Sequence, residues 1–354
     1  MKKYLLLLVA AMMLFGCKQE KTNVVRIGAI LPMTGYGASN GQASQRALQV
    51  AVDSLNAMQE EFEFKIVYED CQSKPQNAKT AYIKLRSQGV KYFFCFGGPF
   101  AMGFTSETKD RDELVFASGT PNMNYLQQSN RCFRICPNVD MVIGGICDFI
   151  QDSCYARVGS VYLQNDAYAQ CNETFLNTMK ARNMDVPFVE GYDPSTKDFT
   201  NILGKLSNEN LDAVYLGSTG ESAAVFIKQL FANPNTSNIT VLGDMSLINS
   251  ENLKLIGEII NPIYVLNSDI SMPFWNNYYK RFNETPNPMQ AYTSSVPFII
   301  YDALHKLGAK ASAQEVANFI ISNEFVTNAG PVSFDSESHE PILKTNMKAV
   351  HGID

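Results

Sequence analysis

The sequence predicts an α/β protein built as two doubly wound, Rossmann-like lobes. Short runs rich in β-branched and aromatic residues alternate with longer segments of 3.6-residue apolar spacing, in two successive series along the chain. The run Tyr92-Phe93-Phe94-Cys95-Phe96 is apolar at every position. A strand with both faces apolar belongs in the middle of a parallel sheet covered by helices. The length, 354 residues, also exceeds what one hydrophobic core ordinarily covers.

The elements follow in order. Val24 to Leu31 predicts the first strand, Pro32 to Gly37 a glycine-rich turn, and Gly41 to Asn56 a helix with Ala43, Ala47, Leu48, Ala51 and Leu55 on its apolar side. A strand is expected over Phe62 to Tyr68, then a helix over Pro75 to Ser87 with proline in its first turn. The apolar strand Tyr92 to Phe96 runs into Gly97-Gly98-Pro99. Leu114 to Ala117 predicts the next strand, and Ser118 to Asn124 a loop. The second series opens near Met141. It predicts helices over Met141–Gln151, Tyr168–Arg182, Phe199–Leu206 and Ser222–Phe231. The strands between and after them are expected over Arg157–Leu163, Val186–Glu190, Leu211–Leu216, Ile239–Leu242 and Ile263–Leu266. Helices over Phe274–Arg281, Val296–Leu307 and Ala313–Ile321 follow. Pro331 to Asp354 reads as short strands and turns. The halves share texture, not residue-by-residue identity.

Composition excludes several classes. The chain is 45% hydrophobic and 18% charged, which is neither disordered nor multi-spanning. The net charge is −6, and no basic stripe with interleaved aromatics appears, so no nucleic-acid partner is expected. At the N-terminus, Lys2 and Lys3 precede an apolar run from Tyr4 to Phe15, too short for a permanent membrane span and matching a signal peptide. Leu14-Phe15-Gly16-Cys17 resembles a bacterial lipobox, with Phe15 bulkier than the usual residue. The expectation is a signal peptide over residues 1–16, acylation of Cys17, and a polar tether to Asn23. The protein is then a membrane-anchored lipoprotein of the cell envelope, facing the periplasm or exterior. A plain signal peptide with a chance cysteine is the other reading.

Seven cysteines remain: Cys71, Cys95, Cys132, Cys136, Cys147, Cys154 and Cys171. No C-x-x-C pair and no zinc-like spacing occurs, so buried free thiols are expected for most of them. A bridge between Cys71 and Cys95 stays open. No catalytic residue, metal or cofactor is expected. The three histidines, His305, His339 and His351, lie in a late helix and in the tail. H-E-x-x-H and P-loop motifs do not appear, the first turn lacks G-x-G-x-x-G spacing, and no nucleophile elbow is expected.

In doubly wound sheets, ligands bind beyond the carboxyl ends of the strands. The loops at those ends are Pro32–Gly41, Gly97–Met102, Ser118–Asn124, Gln164–Tyr168, Gly217–Glu221 and Gly243–Ser246. Several segments together resemble the branched-chain amino-acid (Leu/Ile/Val)-binding family of periplasmic binding proteins. These are "IGAILPMTGYGASNGQASQRALQVAVDSLNA", "KIVYEDCQSKPQNAKTAYIKLRSQGVKYFFCFGG", "KDFTNILGKLSNENLDAVYLGS", "YDALHKLGA" and "GPVSFDSESH". They span nearly the whole mature chain in the family's order. The resemblance implies the type I periplasmic binding protein fold, with lobes joined by a three-crossover hinge. One lobe would comprise residues 24–137 and 269–330, the other 141–266 and 334–354, with the ligand cleft between them. It also implies a non-enzymatic solute-binding protein that closes on a small amino-acid-like ligand and serves an ABC-type importer through its permease.

Such a ligand is a zwitterion, and both charges need partners once desolvated. The resemblance places the carboxylate at Gly98, Pro99, Thr120 and Asn122. Asn122 stands where the family commonly has a hydroxyl residue. Pro99 stands near a frequent serine, and proline has no N–H to offer. The ammonium partner falls in Gly243-Asp244-Met245-Ser246, with Asp244 the nearest acid, one position offset. Tyr36, Asn40, Tyr168 and Thr219 or Glu221 would line the cleft. Tyr168 corresponds to a ring that packs over the ligand, and Thr219 to a common aromatic. Each residue also has a plain structural reading: turn chemistry for Gly, Pro, Asn and Ser, a helix cap for Asp244, packing for Tyr168. A sensor reporting to a membrane receptor and, further off, an α/β enzyme are the competing functions.

Overall fold

The computed structural model describes residues 23–120, 123–247 and 250–350. Cys17, the expected signal peptide and Asn122 lie outside the described residues.

The first series runs β1 (Asn23–Leu31), α1 (Ala38–Met58), β2 (Phe62–Asp70), α2 (Pro75–Ser87), β3 (Tyr92–Phe96), α3 (Gly98–Met102), β4 (Leu114–Ser118) and β5 (Cys132–Arg134). Its five strands form one parallel sheet in the order β2-β1-β3-β4-β5. The second series runs α4 (Val139–Asp152), β6 (Val158–Leu163), α5 (Asp166–Ala181), β7 (Val189–Tyr192), α6 (Thr200–Leu206), β8 (Ala213–Gly217), α7 (Gly220–Ala232), β9 (Thr240–Asp244), α8 (Ser250–Ile256) and β10 (Ile263–Ser268). Five of its strands are parallel in the order β7-β6-β8-β9-β10. Both sheets thus have their second strand outside the first. The order reverses between β1 and β3 in one and between β6 and β8 in the other. These are the two topological switch points.

The chain then returns to the first sheet through α9 (Met272–Phe282), α10 (Pro288–Leu307) and α11 (Ala313–Ile321). Ala291, Val296, Ile299, Ile300 and Ala303 of α10 join Ala47, Leu48, Val50 and Leu55 of α1 and Phe94 and Phe116 of the sheet in one buried cluster. Burial of each large apolar side chain there contributes on the order of 2 kcal/mol. The helix starts at Pro288, well before the expected Val296. Asn287 and Gln290 form a capping box with Pro288 in the first turn, and Pro297 lies in the helix interior rather than in its first turn.

The end of the chain corrects an expected boundary. Strands β11 (Phe325–Thr327), β12 (Gly330–Phe334) and β13 (Pro341–Leu343) form a small antiparallel sheet. Val332 and Phe334 lie in the first lobe's cluster, and Phe334 meets Phe133 edge to face. The Glu340 carboxylate accepts from Arg134 Nε at 2.9 Å and Nη2 at 3.1 Å, and His339 stacks on Phe133 at 4.6 Å. Residues 334–343 therefore pack on the first lobe, where the second was expected. Only β14 (Thr345–Ala349) crosses over, pairing antiparallel with β10. Three chain passages link the lobes: β5 to α4, β10 to α9 and β13 to β14. Ser268 and Tyr292 hydroxyls bond there, and Lys348 Nζ holds Asp269 at 2.7 Å.

The seven cysteines of the described residues are free, with Cys71, Cys95, Cys132, Cys136 and Cys147 buried. Cys71 follows β2 and Cys95 lies on β3, and both thiols are free, so the open bridge between them is not made.

Candidate functional site

The turn after β1 is anchored by the end of β2. Asp70 accepts from the Met33 N–H at 2.9 Å, the Thr34 N–H at 3.3 Å, the Thr34 hydroxyl at 2.7 Å and the Gln72 N–H at 2.7 Å. Burial pushes its carboxyl up, but these donors outweigh it and hold the pKa below the ordinary value. Ser73 finishes the clamp, accepting from the Gly37 N–H at 3.0 Å and donating to the Thr34 carbonyl at 2.9 Å. The clamp presents Tyr36, which is 83% exposed with its ring 6.0 Å from that of Phe100. Asn40 is exposed on the first turn of α1.

At the β3 and β4 ends the structure departs from an open cradle of backbone donors. The Gly97 and Gly98 N–H groups donate to the carbonyls of Ser118 (2.9 Å) and Gly119 (3.1 Å). The Phe100 and Ala101 N–H groups both turn back to the Gly97 carbonyl. Pro99 is exposed and has no N–H. Gly98 serves by close approach instead: a Cβ there would lie 2.8 Å from Thr120 Oγ1. The donor left over is the Thr120 hydroxyl, fully buried and without a partner among the described residues, and the Ser118 hydroxyl shares that condition. A buried unpaired hydroxyl is costly and needs a ligand or an ordered water to satisfy it.

The second lobe brings its three expected residues together. Asp244 ends β9, Tyr168 lies in the first turn of α5, and Thr219 stands just before α7 without capping it by its side chain. They meet at Ser246. The Ser246 N–H donates to Asp244 Oδ1 at 2.6 Å, its hydroxyl meets the Tyr168 hydroxyl at 3.0 Å, and its carbonyl accepts from Thr219 Oγ1 at 3.2 Å. Asn165 caps α5 by accepting from the Tyr168 N–H at 2.9 Å, which fixes the start of that helix. Burial pushes the Asp244 carboxyl up, and the two Ser246 contacts oppose it. No cation pairs with Asp244 among the described residues. Burial, with the Asp244 charge adding to it, raises the Tyr168 hydroxyl and pushes the Cys171 thiol up to about 12. Glu221 points elsewhere, in an exposed ion pair with Lys197.

Sequence reasoning assigned no role to Ser246, Ser118 or Asp70. Ser246 stood inside a quoted loop, and only its contacts single it out. Met245, beside it, packs against the first lobe's apolar cluster and so reaches across the cleft. Two shallow surface concavities, about 340 and 380 Å³, lie away from these strand ends, one against Asp198 and Gln229, the other against Arg86 and Glu113. Gly37-Ala38-Ser39-Asn40-Gly41 does spell G-x-S-x-G, contrary to expectation. Ser39, however, is an exposed residue in the first turn of α1, while His305 pairs with Glu61 and His339 stacks on Phe133. It has no catalytic partners among the described residues.

Comparison with known proteins agrees with this architecture. A Leu/Ile/Val-binding protein homolog 2 from Brucella abortus is 25% identical over 336 residues, covering 88% of this chain and 86% of that one. A solute-binding protein of an ABC transporter from Rhodopseudomonas palustris, solved with 3,4-dihydroxybenzoic acid, superposes with a TM-score of 0.80 at 18% identity and covers 94% of each chain. A branched-chain amino-acid transporter substrate-binding protein from Streptococcus pneumoniae, solved with isoleucine, gives 0.74 at 15% identity, covering 92% of this chain and 100% of that one. Residues 24–351 match the periplasmic binding protein family as a whole. With both switch points carrying their loops at the strand ends, and the match running the length of the described fold, the chain belongs to the periplasmic binding protein family.

Proposed function

We propose that this protein captures a small amino-acid-like solute between its lobes and delivers it to the permease of an ABC importer. The observation that carries the choice of ligand is Asp244, a half-buried carboxylate at a strand end whose pKa burial raises and to which no cation is paired among the described residues. An ammonium group on the solute supplies that cation, and a benzoate-like acid would add a second negative charge. The solute carboxylate then falls to the first lobe, where the Thr120 hydroxyl is unsatisfied among the described residues, with Gly98 and Pro99 shaping the wall; Asn122, two residues further along the sequence, is the other candidate donor. Tyr36 and Tyr168 close over the solute, and Asn40 and Thr219 lie at the edge. Closure is a hinge motion of residues 23–137 with 269–343 against 138–268 with 345–350, favoured by any ligand that touches both bodies.

The lipid anchor belongs to the same proposal. Acylation of Cys17 after removal of residues 1–16 holds the protein at the membrane beside its transporter. Cys17→Ser is expected to move the protein from the membrane fraction to the soluble one.

The deciding experiment is calorimetric titration with L-amino acids, each paired with its des-amino carboxylic acid, on wild type and Asp244→Asn. Wild type is expected to bind an amino acid and not its des-amino analogue. Asp244→Asn is expected to weaken that binding about 30-fold or more, the effect of removing one member of a desolvated charge pair. Tight binding of aromatic carboxylates, unchanged in Asp244→Asn, would overturn the amino-acid reading in favour of an organic-acid carrier.

A further inference from the structure

We propose that Ser246 is the positioning residue of the second lobe's half of the site, aiming the Asp244 carboxylate and the Tyr168 ring at the ammonium end of the solute. The inference rests on the reading that Asp244 receives an ammonium group, and adds the residue that sets its geometry.

Ser246 is joined to the start of α5 and to the loops after β8 and β9. Its N–H takes Asp244 Oδ1 at 2.6 Å, which orients the carboxylate and leaves Oδ2 for the solute. Its hydroxyl meets the Tyr168 hydroxyl at 3.0 Å and the Ser218 carbonyl at 3.3 Å, tying the loop after β9 to α5 and to the end of β8. Its carbonyl accepts from Thr219 at 3.2 Å. Behind this layer, the Ser218 hydroxyl bonds the Tyr192 hydroxyl, which is also 3.4 Å from the Ser222 hydroxyl. The hydroxyls therefore form one connected network whose inner members are buried. Such networks hold a single arrangement when every member is satisfied. A site that must grip a charged group needs its partner held in advance, because any ordering left for the binding step weakens affinity.

The electrostatic surroundings fit a positioning role. Tyr168 and Cys171 face Asp244 from α5, and Tyr215 faces it from β8. Burial raises all three, so each is neutral at pH 7. None can offset the carboxylate's charge. The donors holding the carboxylate ionised are those of Ser246, acting against burial. The hydroxyl is bonded to Tyr168 and to the Ser218 carbonyl, so removing it frees the loop, loosens the Ser246 N–H bond to Asp244 and raises the Asp244 pKa further. Binding that needs ionised Asp244 is lost as pH falls through that pKa, so the acid limb of affinity moves to higher pH.

The test measures affinity for L-amino acids from pH 4 to 8 in wild type, Ser246→Ala, Ser246→Thr and Tyr168→Phe. Ser246→Ala is expected to bind about 10- to 100-fold more weakly, the range for losing a hydrogen bond that supports a charged group, with its acid limb shifted to higher pH. Ser246→Thr keeps the hydroxyl and is expected to restore both. Tyr168→Phe removes the ring's bond to Ser246 without altering the Asp244 loop and is expected to weaken binding with the acid limb in place. Affinity within twofold of wild type in Ser246→Ala overturns the proposal and leaves the amino-acid reading standing. Equal loss in Ser246→Ala and Ser246→Thr with an unmoved limb also overturns it, marking a packing role only. A wild type that binds no amino acid at any pH overturns both readings.

Discussion

Gly41→Ala separates two effects of opposite sign. Gly41 lies in the first two turns of α1, where alanine is favoured over glycine by roughly 1 kcal/mol on propensity alone. A Cβ at this position would stand 2.2 Å from the Pro32 carbonyl oxygen and 2.6 Å from its carbon. Both atoms belong to backbone, in the turn that Asp70 and Ser73 hold at several points. A side chain could rotate away, but this turn cannot, so helix and turn must separate by roughly 1 Å at an overpacking cost of about 1–3 kcal/mol. The clash wins, and a net loss of about 1–2 kcal/mol is expected. For a chain this long that lowers Tm by about 1–3 °C, at roughly 1.5 °C per kcal/mol. Gly144→Ala in α4 and Gly204→Ala in α6 are the controls, since a Cβ at either position meets nothing within 4 Å. They should stabilise by up to about 1 kcal/mol. The assay is thermal and urea unfolding of the three variants beside wild type. A Gly41→Ala protein that melts at or above wild type would refute the claim that the turn is locked against the helix.

Other predictions follow from packing and charge. Glu340→Ala removes the carboxylate that pairs with the fully buried Arg134 guanidinium and is expected to cost about 3 kcal/mol in urea unfolding. Glu221→Ala breaks only the exposed pair with Lys197 and should cost under about 1 kcal/mol. His339 has its pKa lowered by burial despite the Cys132 carbonyl and Asp335, so the folded state holds fewer protons there than the unfolded chain. Its contribution to stability is present above the unfolded value near 6.5 and lost as pH falls below it. His339→Phe should flatten the decline in Tm over that window. Met245→Ala removes the side chain that reaches from the second lobe to the first lobe's cluster. It is expected to weaken ligand affinity several-fold and enlarge the radius of gyration of the unliganded protein in solution scattering, with little change in urea unfolding.

How much of this was legible depended on the range of the interactions involved. The helix Pro75–Ser87 and the strand Tyr92–Phe96 have the bounds expected from sequence, because proline at a first turn and an unbroken apolar run are local signals. Strand β5 and helix α8 were not anticipated. Cys132–Arg134 is three residues long and is a strand because β4 offers it partners. The fate of Phe334 was illegible for the same reason: an alternating strand does not say which lobe its apolar face will meet. At the site, position outran role. Asp244, Tyr168 and Thr219 do converge, as loops at parallel strand ends must. The donors expected at Gly97-Gly98 are used up by the neighbouring strand's loop, which no reading of glycine and proline in one stretch can reveal.

The two halves of the cleft differ in a way that bears on how a ligand drives closure. The lobes share a strand order, so their switch points present equivalent loops, but the loops are in different electrostatic condition. On the first lobe, the Gly97, Gly98, Phe100 and Ala101 N–H groups are satisfied internally, and the Ser118 and Thr120 hydroxyls are left unpaired among the described residues. On the second, the hydroxyls satisfy one another and a carboxylate is left without a cation. Neither half can bind a zwitterion well alone, because one offers no counter-charge and the other would repel the solute's carboxylate. Each satisfies one end of the solute, so full binding exists only when both lobes are in contact with it. A ligand shifts a hinge equilibrium by no more than its preference for the closed state. On the proposed amino-acid reading, an uneven division of charge between the lobes makes that preference large, and the ammonium–Asp244 contact would then be what separates a closed complex from loose association with the first lobe.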